Sequence, residues 1–177
     1  TINMSEFQEK HNVSRLIGSP PGYVGYGEGG VLTEAVRQRP YSVVLLDEVE
    51  KAHLDVMNLF YQVFDKGVLS DGEGKEIDFS NTVIFLTTNL ASDVITEMTT
   101  GEAKADSDTL LAAVRPILSN HFKPALLARM TVIPYLTLAQ DALAGIVRLK
   151  LDKIVRRLAH NNSLQMSYSD AVVNCIA

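Results

Sequence analysis

The sequence predicts an α/β fold in which an open, parallel sheet is flanked by helices. Two continuous apolar runs, VVLLDE at 43–48 and TVIFLTT at 82–88, are typical of strands buried on both faces. Apolar residues recur at helical spacing in the segments around these runs. Because strands that alternate with helices usually form parallel sheets, these observations together favour the α/β class.

The N-terminal segment predicts a strand, a loop and a helix, in that order. TINMSEF at 1–7 reads as part of a strand. GSPPGYVGYGEGG at 18–30 holds six of the chain's 11 glycines and two of its 6 prolines, so it predicts a loop. Helical spacing then runs over 32–39 and stops at Pro40.

The middle of the chain predicts a helix and a hairpin. From Leu54, apolar side chains repeat with helical period, and Gly67 is a plausible stop for that helix. DGEG at 71–74 lies between two apolar segments and favours a hairpin turn. The polar stretch at 91–107 predicts a surface loop.

The C-terminal third predicts mainly helix. Helical stripes cover 110–118 and 140–160, a short helix is expected at 124–129, and another helix starts at Asp170. The apolar stripe of the long helix consists of Leu143, Ile146, Val147, Leu151, Ile154, Val155 and Leu158. TVIP at 131–134 predicts a short strand. We therefore expect a large α/β part at 1–137 and the start of a small helical part at 138–177.

Composition excludes several classes of protein. The 177 residues carry 21 acidic and 16 basic side chains, a net charge of −5, which disfavours binding to nucleic acid or to anionic membranes. The apolar runs are shorter than the roughly 18–20 residues that span a bilayer. The single cysteine, Cys175, allows no internal disulfide, and no signal peptide is apparent. A cytoplasmic protein is expected.

The polar ends of the two predicted strands form the first candidate site. Asp47 and Glu48 end the first strand and Asn89 follows the second, and ligands bind at this edge of parallel sheets. On neighbouring strand positions the two acids would point to opposite sides, one toward Mg²⁺ on nucleotide phosphates and one toward an attacking water. The alternatives are solvated acids at a strand end and an asparagine that only turns the chain.

The glycine-rich loop is the second candidate site. Gly25, Gly27 and Gly30 spell GxGxxG, but the tight strand-to-helix context of a dinucleotide site is missing. The loop instead favours display of Tyr23 and Val24 to something outside, the alternative being a tyrosine packed over its own loop. The four histidines have no metal-binding spacing, and the sequence contains no GxxxxGK[ST] phosphate loop.

Four segments together resemble one known family. TINMSEFQEKH, VSRLIGSPPGYVGYGEGGVLTEAVRQRPYSVVLLDEVEKAH, GVLSDGEGKEIDFSNTVIFLTTN and LLARM are similar to the second AAA+ module of Clp/Hsp100 unfoldases. The resemblance covers nearly the whole chain. It implies a P-loop-type AAA+ fold truncated before Thr1, with the phosphate loop upstream and the second sensor arginine beyond Ala177.

The resemblance also implies roles for the nucleotide site. Asp47 would be the Walker B acid that orients Mg²⁺ through water, and Glu48 would polarise the hydrolytic water. Asn89 would be sensor 1, and Arg129 in LLARM would be the arginine finger that reaches ATP bound by a neighbouring subunit. The expected cofactors are therefore ATP and Mg²⁺, and the expected assembly is a homo-hexamer.

The loops would grip a polypeptide substrate. In this resemblance Tyr23, Val24 and Gly25 match the pore loop that holds a threaded chain, and the hairpin at 71–76 would be a second axial loop. Within the family, the loop and the LLARM segment are more similar to the ClpV branch, which dismantles type VI secretion sheaths, than to the disaggregase branch ClpB. The tripeptide that docks ClpP-type proteases is absent from 91–107, so a protease partner is disfavoured.

Two other readings stay open beside a sheath-dismantling ATPase. One is a ClpB-like disaggregase. The other is a module that grips substrate and assembles the ring while hydrolysis is dominated by another ring. In either case the isolated 177 residues are expected to be inactive, since they lack a phosphate loop.

Overall fold

The computed structural model describes residues 1–100 and 105–177, which form two compact units. Unit 1 comprises Thr1–Val94 and Asp106–Ile133, and unit 2 comprises Ile95–Ala105 and Pro134–Ala177. The strands are β1 (Ile2–Asn3), β2 (Ser42–Asp47), β3 (Val68–Ser70), β4 (Glu76–Asp78) and β5 (Thr82–Leu86). The α-helices are α1 (Val13–Ile17), α2 (Val31–Gln38), α3 (Leu54–Lys66), α4 (Ser92–Thr99), α5 (Ser107–His121), α6 (Pro124–Leu127), α7 (Gln140–Asn162) and α8 (Asp170–Ile176). Over the described ranges, no helix has both the length and the apolar character needed to cross a bilayer.

The main sheet is parallel, as predicted, with strand order β1-β2-β5. Leu46 lies at its centre, opposite Ile2 on one side and Leu86 on the other. The strand predicted within residues 1–7 forms only over Ile2–Asn3. The Asn3 side chain accepts a hydrogen bond from the Ser5 backbone N–H at 3.0 Å and starts a 3-10 helix at Met4–Phe7, which buries Met4 and Phe7.

The two faces of the sheet differ in burial. Val44 and Leu46 of β2 are buried in the core of unit 1. On the opposite face, Val43, Val83 and Phe85 keep 63%, 55% and 53% of their surface exposed. The prediction that these strands are buried on both faces is therefore wrong for the described residues. Strand side chains alternate between faces, so packing on one side leaves every second residue uncovered.

Helix α3 and the hairpin that follows it confirm their predictions. The apolar stripe of α3 is buried at Val56, Phe60 and Val63, and Gly67 ends the helix in the left-handed conformation with φ 72°. Strands β3 and β4 then pair antiparallel. Asp71 fixes the turn, because its Oδ1 accepts from the backbone N–H groups of residues 73 and 75 at 2.9 Å.

Two predictions of local structure are wrong. Helix α4 lies within 91–107, where a loop was expected; the part of that prediction at 101–104 lies outside the described residues. No strand forms at 131–134. β-branched residues favour strands only where a neighbouring strand offers backbone partners, and residues 131–134 are not paired.

Unit 2 contains the long helix α7 and the short helix α8. Arg148 of α7 pairs with Asp170 of α8 at 2.9 Å, and the Tyr168 hydroxyl donates to Asp152 at 2.5 Å. That bond raises the pKa of Tyr168. The predicted apolar stripe of α7 is only partly covered, since Ile146 and Ile154 keep 43% and 37% of their surface exposed.

Candidate functional site

The carboxyl ends of β2 and β5 are joined by backbone hydrogen bonds. The N–H of Thr87 donates to the carbonyl of Leu46 at 3.0 Å, and the N–H of Val49 donates to the carbonyl of Thr87 at 3.1 Å. These bonds continue the pairing of the two strands past their last residues. Asp47 and Glu48 therefore lie at a fixed edge of the sheet, which we call the rim (residues 47, 48 and 87).

The Thr87 side chain connects both acids of the rim. Its hydroxyl donates to Asp47 Oδ1 and accepts from the backbone N–H of Glu48 at 3.2 Å. The sequence prediction missed this residue. The position of Thr87 could have indicated a role, because Thr87 follows the second strand just as Asp47 ends the first. Threonine is common in strands, however, so a threonine at this point is usually assigned to the strand itself.

Glu48 has an unusual backbone conformation. Its φ of 58° and ψ of 48° are left-handed, a region that residues other than glycine adopt rarely and that costs of the order of 1–3 kcal/mol. Strand β2 ends at Asp47, so the expectation that strand alternation separates the two acids is wrong. The side chain of Glu48 is 30% exposed and accepts a hydrogen bond from the Lys51 ammonium at 3.2 Å.

Asn89 lies three residues after β5 and is exposed. The backbone carbonyl of Asn89 accepts hydrogen bonds from the backbone N–H of Ser92 at 3.2 Å and from the Ser92 hydroxyl. These bonds start α4. The structure therefore brings Asp47, Glu48 and Thr87 together and places Asn89 on the chain that leaves the same edge. The role of Asn89 as sensor 1 stays a prediction.

The rim fits part of a magnesium–nucleotide site. Mg²⁺ in such sites keeps several waters and uses one or two carboxylates together with substrate phosphates. Asp47, half-buried and held by Thr87, offers such a carboxylate. Within the described ranges no cluster of three or more His, Cys, Asp or Glu side chains could hold a metal by itself. Asp47 thus suits a metal whose remaining ligands are water and phosphate.

The glycine-rich loop exposes its aromatic and aliphatic side chains. Tyr23 is 70% exposed and Val24 is 100% exposed. Successive tight turns shape the loop: the N–H of Tyr26 donates to the carbonyl of Tyr23 at 3.1 Å, and the Ser19 hydroxyl donates to the carbonyl of Val24 at 2.9 Å. Gly25 takes φ 84°, where a side chain would be strained. The loop therefore exposes Tyr23 and Val24 to solvent, and Tyr23 does not pack over the loop.

The base of this loop rests against the β3–β4 hairpin. The N–H of Gly72 donates to the carbonyl of Ile17 at 2.9 Å. A Cβ on Gly72 would lie 2.3 Å from the Gly18 oxygen, and one on Gly30 would lie 2.3 Å from the Ile17 carbonyl carbon. Backbone therefore meets backbone at both glycines, and the two loops predicted to be axial form one structural unit.

Charged side chains line a cleft of about 220 Å³ between the loop and the hairpin. Glu34 accepts hydrogen bonds from Gln38 at 2.7 Å and from Arg37 at 2.5 Å, which lower its pKa. Across the cleft, Lys75 donates to Glu73 at 2.8 Å, which raises the pKa of Lys75. None of the rim residues lines this cleft. The glycine-rich loop at 18–30 and the rim are thus separate sites of unit 1.

Arg129 follows α6 and is held at the far end of α3. Its guanidinium pairs with Asp65 at 2.8 Å and donates to the carbonyl of Ala125 at 3.0 Å. Helix α3 begins six residues after Glu48, and Asp65 lies eleven residues further, roughly 17 Å along the helix. The hydrogen-bond and ion-pair partners of Arg129 in the described part of the chain are in α3 and α6, and none is a rim residue.

The parallel sheet with polar residues at its carboxyl edge fits an AAA domain, and comparison with known proteins agrees. The model of the AAA domain (Cdc48 subfamily) matches residues 1–133, three quarters of the chain. The chain belongs to the Clp/Hsp100 branch of the AAA+ family, which confirms the resemblance seen in the sequence.

Two curated relatives and one solved structure illustrate the similarity. Chaperone protein ClpB of Yersinia enterocolitica is 59% identical over 175 residues, and AAA+ ATPase ClpV1 of Pseudomonas aeruginosa is 53% identical over 177 residues. These matches cover 98% and 99% of the chain but 20% of each relative, so the chain spans about a fifth of their length. A closed-state cryoEM reconstruction of Hsp104 with ATPγS and FITC casein superimposes with a TM-score of 0.74 at 38% identity, covering 91% of the chain and 28% of that one.

Proposed function

We propose that the chain is the second AAA+ module of a ring-forming ATPase that unfolds or pulls apart polypeptides. The observation that carries this proposal is the rim, where Thr87 fixes Asp47 and holds the backbone of Glu48 in a left-handed conformation. Strain of this kind is tolerated where function needs a particular side-chain position. The solved Hsp104 relative, which was reconstructed with a nucleotide analogue and casein, supports the class of activity.

Each site residue has a defined task in this proposal. Asp47 would hold a hydrated Mg²⁺, which would supply positive charge beside the ATP phosphates, and Glu48 would accept a proton from the attacking water. The Asn89 amide helps to hold that water. Arg129 acts on ATP bound by the next subunit, where a cation stabilises charge that develops on the phosphate. Its position at the end of α3 supports action on a neighbour's nucleotide rather than on its own.

The glycine-rich loop at 18–30, which we call the gripping loop, holds the polypeptide while it is pulled. A fully exposed Val24 and a mostly exposed Tyr23 offer apolar contact to a chain of any sequence, while Gly25 allows the turn that projects them. The junction of this loop with the hairpin supports its base. In a homo-hexamer, six copies would surround one axial channel through which the polypeptide substrate is drawn.

The proposed client is the type VI secretion sheath, in a cytoplasmic reaction without a ClpP-type protease. The 53% identity to ClpV1 and the ClpV-like loop and LLARM segments support this choice. The 59% identity to a ClpB supports a disaggregase equally well. A module that grips and assembles, with hydrolysis dominated by another ring, is the third candidate. The exposed side chains of Tyr23 and Val24 support this candidate, because they suit gripping whichever ring hydrolyses ATP.

Two variants of the intact protein, with hydrolysis in its first module disabled, separate gripping from hydrolysis. We expect Tyr23→Ala to abolish polypeptide threading while ATP turnover stays within about twofold, because the exposed Tyr23 takes no part in the rim. Glu48→Ala should lower ATP turnover about a hundredfold or more, as loss of a positioned general base does. Unchanged turnover in Glu48→Ala would refute the assignment of the base, and preserved threading in Tyr23→Ala would refute the gripping role.

The client is tested with the same intact protein on two substrates. We expect purified, contracted type VI sheaths to be disassembled with ATP, and heat-aggregated luciferase to be recovered poorly or not at all. The opposite pattern would assign the protein to the disaggregases. The isolated 177-residue chain serves as the negative control and should show no ATP turnover, because it lacks the amides and lysine that position phosphates.

A further inference from the structure

We propose that one polar edge of α3, formed by Asn58, Tyr61 and Asp65, positions Arg129 for its action on the neighbouring nucleotide. This inference rests on the proposed function of Arg129 as an arginine finger. The three residues are spaced i, i+3 and i+7, so they lie on one side of the helix. The opposite side of α3 is buried in the core of unit 1 and anchors the edge.

The edge holds the segment of Arg129 at its N-terminal end. Just before α6, the ammonium of Lys123 donates to Asn58 Oδ1 at 2.9 Å and lies 4.8 Å from the centroid of the Tyr61 ring. The backbone N–H of Lys123 donates to the Tyr61 hydroxyl at 3.2 Å. Both the side chain and the backbone of Lys123 are therefore fixed on α3.

The same edge holds the segment at its C-terminal end. Asp65 accepts from the Arg129 guanidinium at 2.8 Å, and the second nitrogen of that group donates to the carbonyl of Ala125 within α6. The two bonds together fix both the position and the plane of the guanidinium. A short helix of four residues, Pro124–Leu127, thus sits between two attachments to one rigid helix.

The charge and exposure of the pair suit a positioning role. The side chains of Asp65 and Arg129 are 60% and 45% exposed, and exposed ion pairs contribute little to stability. Arg129 can therefore exchange the carboxylate for a phosphate oxygen at small cost. Because α3 starts six residues after Glu48, the edge also links the segment of Arg129 to the rim of the same chain.

The test is a cycle of variants in the intact protein with its first module disabled. Asp65→Asn keeps the shape of the side chain and removes its charge. We expect it to lower kcat for ATP about five- to tenfold with KM within about twofold, because a misplaced cation loses stabilisation of the transition state rather than of bound ATP. Asn58→Ala, at the other attachment, should lower kcat in the same direction and by less.

A matched control comes from the other end of the same helix. Asp55 forms an exposed ion pair with Lys10 at 3.2 Å and lies 3.9 Å from His53, and within the described ranges neither of these partners belongs to α6. Asp55→Asn should leave kcat within about twofold of the wild type, as expected for an exposed pair outside the site. Thermal unfolding of all variants should stay near that of the wild type and shows whether each has folded.

The double variant identifies the path of the effect. If Asp65 acts through Arg129, then Asp65→Asn added to Arg129→Ala should cause no further loss of kcat, since coupled residues are not additive. A wild-type kcat in Asp65→Asn, or an equal loss in both backgrounds, would overturn the inference while the role of Arg129 stands. An unchanged kcat in Arg129→Ala alone would instead refute the finger itself, and the inference with it.

Discussion

The rim and the gripping loop belong to the same unit but are built in opposite ways. At the rim, hydrogen bonds between two strands extend past their ends, the acids are half-buried, and one residue is held in a strained conformation. The loop is shaped by tight turns and by glycines with positive φ, and its Tyr23 and Val24 side chains are mostly exposed. Chemistry requires atoms held within a fraction of an ångström, whereas gripping a chain requires reach and tolerance of sequence. The difference supports a division of tasks between the two regions.

Among changes that leave both acids of the rim in place, we expect the largest loss of activity from one that loosens the rim and leaves the loop intact. Thr87→Val keeps the shape of the side chain and removes the hydroxyl that binds Asp47 and the backbone of Glu48. We expect ATP turnover of the intact protein to fall about tenfold, as for residues that orient ligands of a metal. Polypeptide binding by the gripping loop should be unchanged. Thr82→Val, at the start of β5, is the matched control, because the Thr82 hydroxyl donates to the carbonyl of Phe79 at 2.8 Å. Equal losses in both variants would contradict the role of Thr87.

A smaller effect is expected at the junction that supports the loop. Gly72→Ala places a Cβ 2.3 Å from the backbone oxygen of Gly18, so unfolding by urea should show a loss of about 3 kcal/mol in the 177-residue chain. Gly27→Ala is the control, because Gly27 has φ 87° but no atom within 4 Å of its Cβ. Strain alone should cost it about 1–2 kcal/mol. Equal costs at the two positions would show that the backbone contact of loop and hairpin is not tight.

The smallest effect concerns a helix cap outside both regions. Asp106 accepts a hydrogen bond from the N–H of Thr109 at 2.8 Å at the start of α5, and bonding to Thr109 lowers the pKa of Asp106. A lowered pKa in the folded state means that the ionised carboxyl stabilises the fold at neutral pH, and that this stability is lost as the pH falls through that pKa.

The measurement compares the free energy of unfolding at pH 7 and at pH 3. Asp106→Asn, which caps without a charge, should lose less stability on acidification than the wild type. If Asp106→Asn and the wild type lost the same free energy of unfolding between pH 7 and pH 3, the charge of Asp106 would not contribute to stability.

Elements with a strong local pattern could be predicted from the sequence. Helix α3 followed from its apolar period and from Gly67, and the hairpin followed from the Asp71-Gly72 turn. Short elements could not, because their conformation depends on partners distant in sequence. Residues 131–134 find no strand to pair with, and the strand expected at 1–7 pairs with β2 only over Ile2–Asn3.

The two acids of the candidate site were predictable from the sequence, but Thr87 and the geometry of the rim were not. Asp47 and Glu48 could be recognised from the strand that ends in acids. The left-handed conformation of Glu48 and the bond from Thr87 arise only when β5 pairs with β2 in a particular register. Asp65 gave no signal either, since its partner Arg129 is 64 residues away.

In the proposed mechanism, Glu48 serves hydrolysis at the rim and not nucleotide binding. The most direct measurement follows a single turnover of bound ATP in the intact protein with Glu48→Gln, its first module disabled. We expect the Kd for ATP to stay within about threefold of the wild type, while the rate of hydrolysis falls about a hundredfold or more. A wild-type rate of hydrolysis, or a loss that arises from weakened ATP binding alone, would contradict the account.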